Sequence, residues 1–343
     1  MQRSSSARIE SLDLLRGLCA IGVACYHVMS WLGIATVHDL GLYGVYLFFL
    51  LSGTSMTIAY ARRFAAGYPV TRYLALRYIR LAPLYVLVAT YVAIVDLRSL
   101  YTLPQLVGRW LLNVTFVFGV ANPGDTSLIV GGWSLGIEFV YYLAFPLLLA
   151  VIAARRGPWF AALLFGAQLV VVNVVLAGTT LTHAWAAYSQ FASFIGYFAV
   201  GTWIGHARLD GRLAPTRAPW AWACWLVLAV AIVTQSGATA EASLTGLRGA
   251  ALALACCALL AITIRLELPS ALRRVAALVG DASYPMYLLH PIVFKLVARL
   301  IGTDQRARFV VIVLAATFVL ALAVYRWVEA PILQWGKRRF ASV

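Results

Sequence analysis

Residues 11–31, SLDLLRGLCAIGVACYHVMSW, decide the fold. Apart from Asp13, Arg16 and His27 the stretch is apolar or small, and its 21 residues match the roughly 20 that an α-helix needs to cross a bilayer. The polar, basic MQRSSSARIE before it carries a positive charge, but the apolar run is too long for a removable signal and has no cleavage-site pattern. The run therefore reads as a first spanning helix.

The pattern recurs outward along the chain. Nine further segments qualify as spans, at 41–60, 80–97, 133–153, 159–177, 187–206, 219–236, 247–264, 280–301 and 308–328. A shorter stretch, 104–119, carries Gln105, Arg109 and Asn113 and reads as a re-entrant or interfacial helix, which is tolerated at membrane depth where protein buries it. With 63% hydrophobic residues, 11% charged residues and a mean hydropathy of +0.87, the chain takes the bilayer as its solvent. The expectation is an all-α, polytopic transmembrane bundle of about ten spans. It forms one membrane-embedded domain over 1–343, in contact with membrane lipids and with no appended soluble domain.

Lys and Arg number 27 against 12 Asp and Glu, a net charge of +15. In a soluble protein that excess would suggest a nucleic-acid partner. Here the cations sit in short loops, so orientation explains them and no nucleic acid is expected. With ten spans, both termini share a side with Arg62, Arg63, Arg155, Arg156, Arg273 and Arg274, and the positive-inside rule makes that side cytoplasmic. The five cysteines all fall in apolar segments without metal-type spacing, so neither a disulfide framework nor a metal site is expected.

Ionisable groups inside apolar spans are costly and invite functional hypotheses. Arg16 and His27 are eleven residues apart, which returns them to one helix face about 16 Å apart along the axis. Asp13, three residues before Arg16, can hold the guanidinium. The alternatives are that Arg16 snorkels to the interface and that His27 is a satisfied structural histidine. Glu138 lies in GGWSLGIEFVYY (131–142), about 8 Å below the outer end of its helix, a depth similar to that counted for His27. A carboxylate meeting an imidazole orients the ring and stabilises its cation, as general-base chemistry requires. The alternative is a helix-packing Glu bonded to Tyr. Ser134, Tyr141 and Tyr142 stand one turn from Glu138.

RYIRLAP (77–83) sets Arg77 and Arg80 one turn apart at the end of the third span, closed by Pro83. They are ready partners for phosphates or, alternatively, positive-inside anchors. SYPMYLLHP (283–291) sets Pro285 and Pro291 around His290, so the helix is expected to break there and free backbone groups to line a cavity. His290 either bridges helices or touches a ligand. Ser52 and Gly53 read as packing contacts of the second helix.

These pieces together resemble the acyltransferase 3 family of membrane proteins, whose members O-acylate polysaccharides, lipopolysaccharide O-antigens, nodulation factors and some antibiotics. SLDLLRGLCAIGVACYH, GVYLFFLLSG, RYIRLAPLY, GGWSLGIEFVYY and SYPMYLLHP occur in the family's order over nearly the whole chain. The resemblance implies an acyl-CoA-dependent enzyme of a bacterial cytoplasmic (inner) membrane, transferring an acyl group, by family habit acetyl from acetyl-CoA, to a glycan or lipid-linked saccharide. The family's essential Arg and His of the first helix carry over to Arg16 and His27, its Arg-x-x-Arg to Arg77 and Arg80, and its acid after Trp-Ser-Leu to Glu138. The mechanism expected from these residues has His27 and Glu138 as the catalytic pair and Arg77 and Arg80, with Arg16, holding the donor's phosphates. It leaves the acceptor to Trp133, Ser134, Tyr141, Tyr142 and His290, with Trp185 a further stacking surface. Where the family usually has Phe after Ser-Gly, Thr54 stands here and receives no role. Two rivals remain at this point: a transporter, and a haem or quinone protein using His27 and His290.

Overall fold

In the computed structural model, which describes residues 9–34, 38–98, 100–234 and 239–340, the chain is helical nearly throughout, with only an isolated β-bridge, Thr216 to Leu266, among the described residues. In chain order the first helices are α1 (Glu10–Trp31), α2 (His38–Ala65), α3 (Val70–Val92), α4 (Leu103–Val114), α5 (Pro123–Thr126), α6 (Trp133–Ala153) and α7 (Gly157–Val175). There follow α8 (Trp185–Tyr188), α9 (Ile195–Leu209), α10 (Pro219–Thr234), α11 (Ala240–Leu244), α12 (Gly246–Thr263), α13 (Ser270–Ile301), α14 (Arg306–Val324) and α15 (Ala330–Phe340). A π-turn, Ala93–Leu97, extends α3, and another, Tyr325–Glu329, joins α14 to α15. The polar lead-in of residues 1–8 lies outside the described residues.

Among the described residues eight helices are long and apolar enough to cross a membrane. Of the remaining two expected spans, 219–236 appears as α10, an apolar helix over its 16 described residues, with positions 235 and 236 outside the described residues. Segment 187–206 is corrected: only α9, 15 residues, is continuous helix, and a 3-10 turn, Phe191–Ser193, precedes it. There the Phe191 carbonyl accepts the Phe194 amide at 3.2 Å, closing the 3-10 turn, and also the Tyr141 hydroxyl at 2.5 Å.

Helix α9 packs along α2 at backbone distance. A Cβ on Gly53 would meet the Phe198 carbonyl, and one on Gly201 would meet the backbone of Leu50, so only glycine permits the approach. Thr54, fully buried, donates to the Gly201 carbonyl at 2.8 Å, which accounts for its presence as a packing residue. The small residues of α2 thus divide: Gly53 packs, as expected, while Ser52 faces a cavity.

Helices α1 and α13 run parallel, Asp13 beside Gly280, Ala24 clustering with Met286, and His27 beside His290. A parallel first and ninth span is what alternating crossings require when segment 104–119 does not cross. Its helix α4 has 12 residues, about 18 Å of rise, too short for a bilayer. It runs back along α3, with Trp110 bonded to Thr90 and Asn113 to the Tyr85 hydroxyl. Phe116, in the left-handed region at φ 59°, then reverses the chain.

Two expectations about prolines are corrected. Helix α3 starts at Val70 and runs through Pro83, so Arg77 and Arg80 lie inside it rather than at its closed end. Helix α13 is not broken: its 32 residues continue through Pro285 and Pro291. A proline removes one amide donor without necessarily ending a packed helix, and the freed carbonyl is the consequence that matters.

Candidate active site

Five helices, α1, α2, α3, α6 and α13, enclose a cavity of about 260 Å³ lined by Arg16, Ser52, Ser55, Arg77, Arg80, Ser134, Glu138, Tyr142, Ser283, Tyr284 and Tyr287 among apolar side chains. Its three guanidiniums differ in their neutralisation. Arg16 donates to Asp13 at 3.0 Å, the pairing its spacing suggests, and to Ser55 at 2.8 Å. Arg80 donates to Glu329 at 2.7 Å and lies 5.2 Å over the Tyr284 ring. Arg77 has no carboxylate partner among the described residues: it donates to the Tyr60 hydroxyl at 2.9 Å and lies 5.0 Å over that ring, with Met56 Sδ at 3.4 Å. Its Nε is buried without a partner. A half-buried guanidinium served only by a phenol and a thioether is the group in this cavity most in need of an anion.

Glu138 faces the same cavity but does not meet His27. Its Oε1 accepts from Ser52 Oγ and from the Tyr142 hydroxyl, each at 2.6 Å. The Tyr142 ring in turn lies 6.0 Å from the Arg77 guanidinium, so Glu138 reaches Arg77 through Tyr142 rather than as a direct ion-pair partner. The expected His27–Glu138 pair is therefore corrected, and the cause is the re-entrant segment. The Gly131 carbonyl, just before α6, accepts from Tyr287, one turn before His290, so α6 begins already below the histidine level. Glu138 then falls about 8 Å deeper still.

His27 pairs instead with His290, Nδ1 to Nε2 at 2.8 Å, and the Trp31 ring lies against both imidazoles. His290 is fully buried and its Nδ1 lies 3.2 Å from the Met286 carbonyl. A carbonyl only accepts, so His290 Nδ1 carries a proton and, in the neutral ring, Nε2 is the acceptor. His27 Nδ1 must then be the donor, which leaves the lone pair of His27 on Nε2. The chain carbonyl, imidazole, imidazole thus fixes the tautomer that general-base chemistry needs, by a different partner from the one expected.

The remaining candidates separate clearly. Ser134 and Tyr142 line the cavity. Tyr141 does not: it is fully buried against Phe49 and Phe198 with its hydroxyl on Phe191. Trp133 and Trp185 meet edge-on at 5.2 Å, Trp133 beside Phe194, and neither lines the cavity. Glu329 and Tyr287 went unnoticed in the sequence. Glu329 stands in YRWVE at the end of an apolar run, where a charge reads as interfacial, and only the fold brings it to Arg80, 249 positions away.

The described helices form an apolar bundle around an arginine-lined cavity, with a paired imidazole beyond one end, as a membrane-embedded enzyme would present. The family model described as an acyltransferase domain, acyltransferase 3, matches residues 9–326, nearly the whole chain, and the protein belongs to that family. It is accordingly an acyltransferase acting on a hydroxyl. No curated protein and no solved structure matches it.

Proposed function

We propose that the protein transfers an acyl group, acetyl by family habit, from acyl-CoA on the cytoplasmic side to a hydroxyl of a glycan or lipid-linked saccharide on the outer side of a bacterial inner membrane. The observation that carries this is the cavity itself. One end holds Arg77, an anion receptor without its own carboxylate, and the other reaches Ser134 and Tyr287, one turn short of the His27–His290 pair. A donor with its phosphates at Arg77 would present its thioester at the Tyr287 end. Arg16 and Arg80, already neutralised, add hydrogen-bond donors more than net charge. An acceptor entering from the opposite end would meet His27, whose Nε2 takes the hydroxyl proton as oxygen attacks the acyl carbon. Glu138 then acts on the donor end, holding Tyr142 and through it Arg77.

The test uses purified protein in proteoliposomes, with labelled acetyl-CoA supplied to one face and saccharide acceptor to the other. Label should appear in the acceptor, with a mass gain of one acetyl group. Acceptor uptake that proceeds equally well without any CoA donor would instead establish a transporter.

Orientation supplies a second prediction. The loop between α6 and α7 carries Arg155 and Arg156, both exposed. A cysteine at Ala154 should resist impermeant thiol reagents applied to intact cells and label once the membrane is permeabilised. Labelling from outside would invert the topology and place the donor end on the wrong face.

A further inference from the structure

Tyr287 belongs to no role assigned so far, yet it occupies the junction between the cavity and the imidazoles. It lines the cavity, is 5% exposed, and its ring centroid lies 6.3 Å from that of His290. Its hydroxyl forms a triangle with Ser134 Oγ at 2.9 Å and the Gly131 carbonyl at 2.9 Å, and Ser134 Oγ lies 3.0 Å from the same carbonyl. Three oxygen contacts share two protons, because each hydroxyl carries one. One contact is always without a proton. Either hydroxyl can therefore turn its proton elsewhere while the other still serves Gly131, and no buried carbonyl is left unsatisfied.

The phenol is also held in place. The Phe48 ring meets it edge-on at 5.8 Å, and Gly131 sits beneath it at φ +77°, where an added Cβ would come within 2.9 Å of the phenol oxygen. Glycine is required there both for the left-handed backbone and for room. A fixed donor at the base-proximal end of an acyl-binding cavity needs little reorganisation to meet a developing charge.

From this geometry we propose that the Tyr287 hydroxyl is the oxyanion donor of the transfer reaction, with Ser134 keeping Gly131 satisfied when Tyr287 turns. The assignment rests on the acyl-transfer reading above. As the acceptor oxygen bonds to the acyl carbon, its proton passes to His27 Nε2 and the carbonyl π pair moves onto oxygen, which Tyr287 stabilises. The C–S bond then breaks, the carbonyl re-forms, and the His27 imidazolium returns the proton to the departing thiolate. Protons and electron pairs balance without any further reactant.

The experiment compares wild-type protein, Tyr287→Phe, and protein carrying 3-fluorotyrosine at 287, for turnover and for acetyl-CoA binding. Phe keeps the ring and leaves the Ser134–Gly131 bond intact. Turnover should fall about 100- to 1,000-fold, as for loss of one oxyanion-hole donor, with donor affinity unchanged within about twofold. The fluorinated phenol keeps the shape, so its turnover should differ from wild type, and it carries the test if Tyr287→Phe fails to fold. A folded Tyr287→Phe with near wild-type turnover, or a fluorotyrosine variant indistinguishable from wild type, overturns the assignment and leaves acyl transfer standing. Wild-type protein that consumes no acyl-CoA overturns both.

Discussion

His27→Gln should lose transfer by a factor on the order of 10² to 10⁴, the usual contribution of a positioned general base, while acetyl-CoA binding stays near wild type. Glutamine can still donate to His290 Nε2, so the structural half of the His27 contact survives. What it lacks is a lone pair basic enough to take a hydroxyl proton. His27→Ala should be equally inactive. Donor binding should be spared because Arg16, on the same face of α1 eleven residues earlier, lies about 16 Å away toward the donor end. The companion variant His290→Phe separates positioning from chemistry. It fills the volume of the buried ring but leaves His27 Nδ1 without an acceptor, freeing the His27 tautomer. Turnover should fall less than in His27→Gln, with donor affinity unmoved. Transfer of labelled acetyl by each purified variant, alongside CoA titration, measures both quantities. Substantial turnover by His27→Gln would return this histidine to a packing role.

Arg77→Ala and Arg80→Ala should differ in kind, although the sequence presents them as equivalents one turn apart. Removing Arg77 strands no carboxylate, because its partners are Tyr60 and Met56, so the fold should tolerate the loss. A charge-assisted contact is worth about 1.5–3 kcal/mol, so donor affinity should fall by roughly ten- to a hundredfold. Removing Arg80 leaves Glu329, 4% exposed, as an uncompensated buried carboxylate. Breaking a buried pair on one side costs about 3–5 kcal/mol, a large part of any protein's stability. Arg80→Ala should therefore show a markedly lower thermal midpoint in detergent. The double substitution Arg80→Met with Glu329→Leu, apolar on both sides, should recover much of it. An Arg80→Ala protein as stable as wild type would mean that Glu329 finds another partner, and an Arg77→Ala protein with unchanged donor affinity would move the anion site elsewhere.

Much of this molecule is legible in its amino-acid sequence. Apolar runs near 20 residues define spans because a bilayer admits no unsatisfied backbone, and 133–153 coincides with α6 residue for residue. Helical periodicity placed Asp13, Arg16 and His27 on one face of α1, and the Asp13–Arg16 pair follows from local geometry alone. The short, polar 104–119 segment announced itself as something other than a span. What the sequence could not fix was axial offset between distant helices. Periodicity states which face a residue occupies and how far it lies from its own helix end, but not where that end sits. Because the chain before α6 dips inward and ties Gly131 to Tyr287, Glu138 meets Ser52 and Tyr142 rather than His27. The same dependence on assembled packing joins His27 to His290 across 263 positions and Arg80 to Glu329 across 249. Chemical types and helix faces come from local rules that any short stretch obeys. Partners come from the relative shifts of whole helices, which small-residue contacts such as Gly53 on Phe198 set only once the bundle has formed.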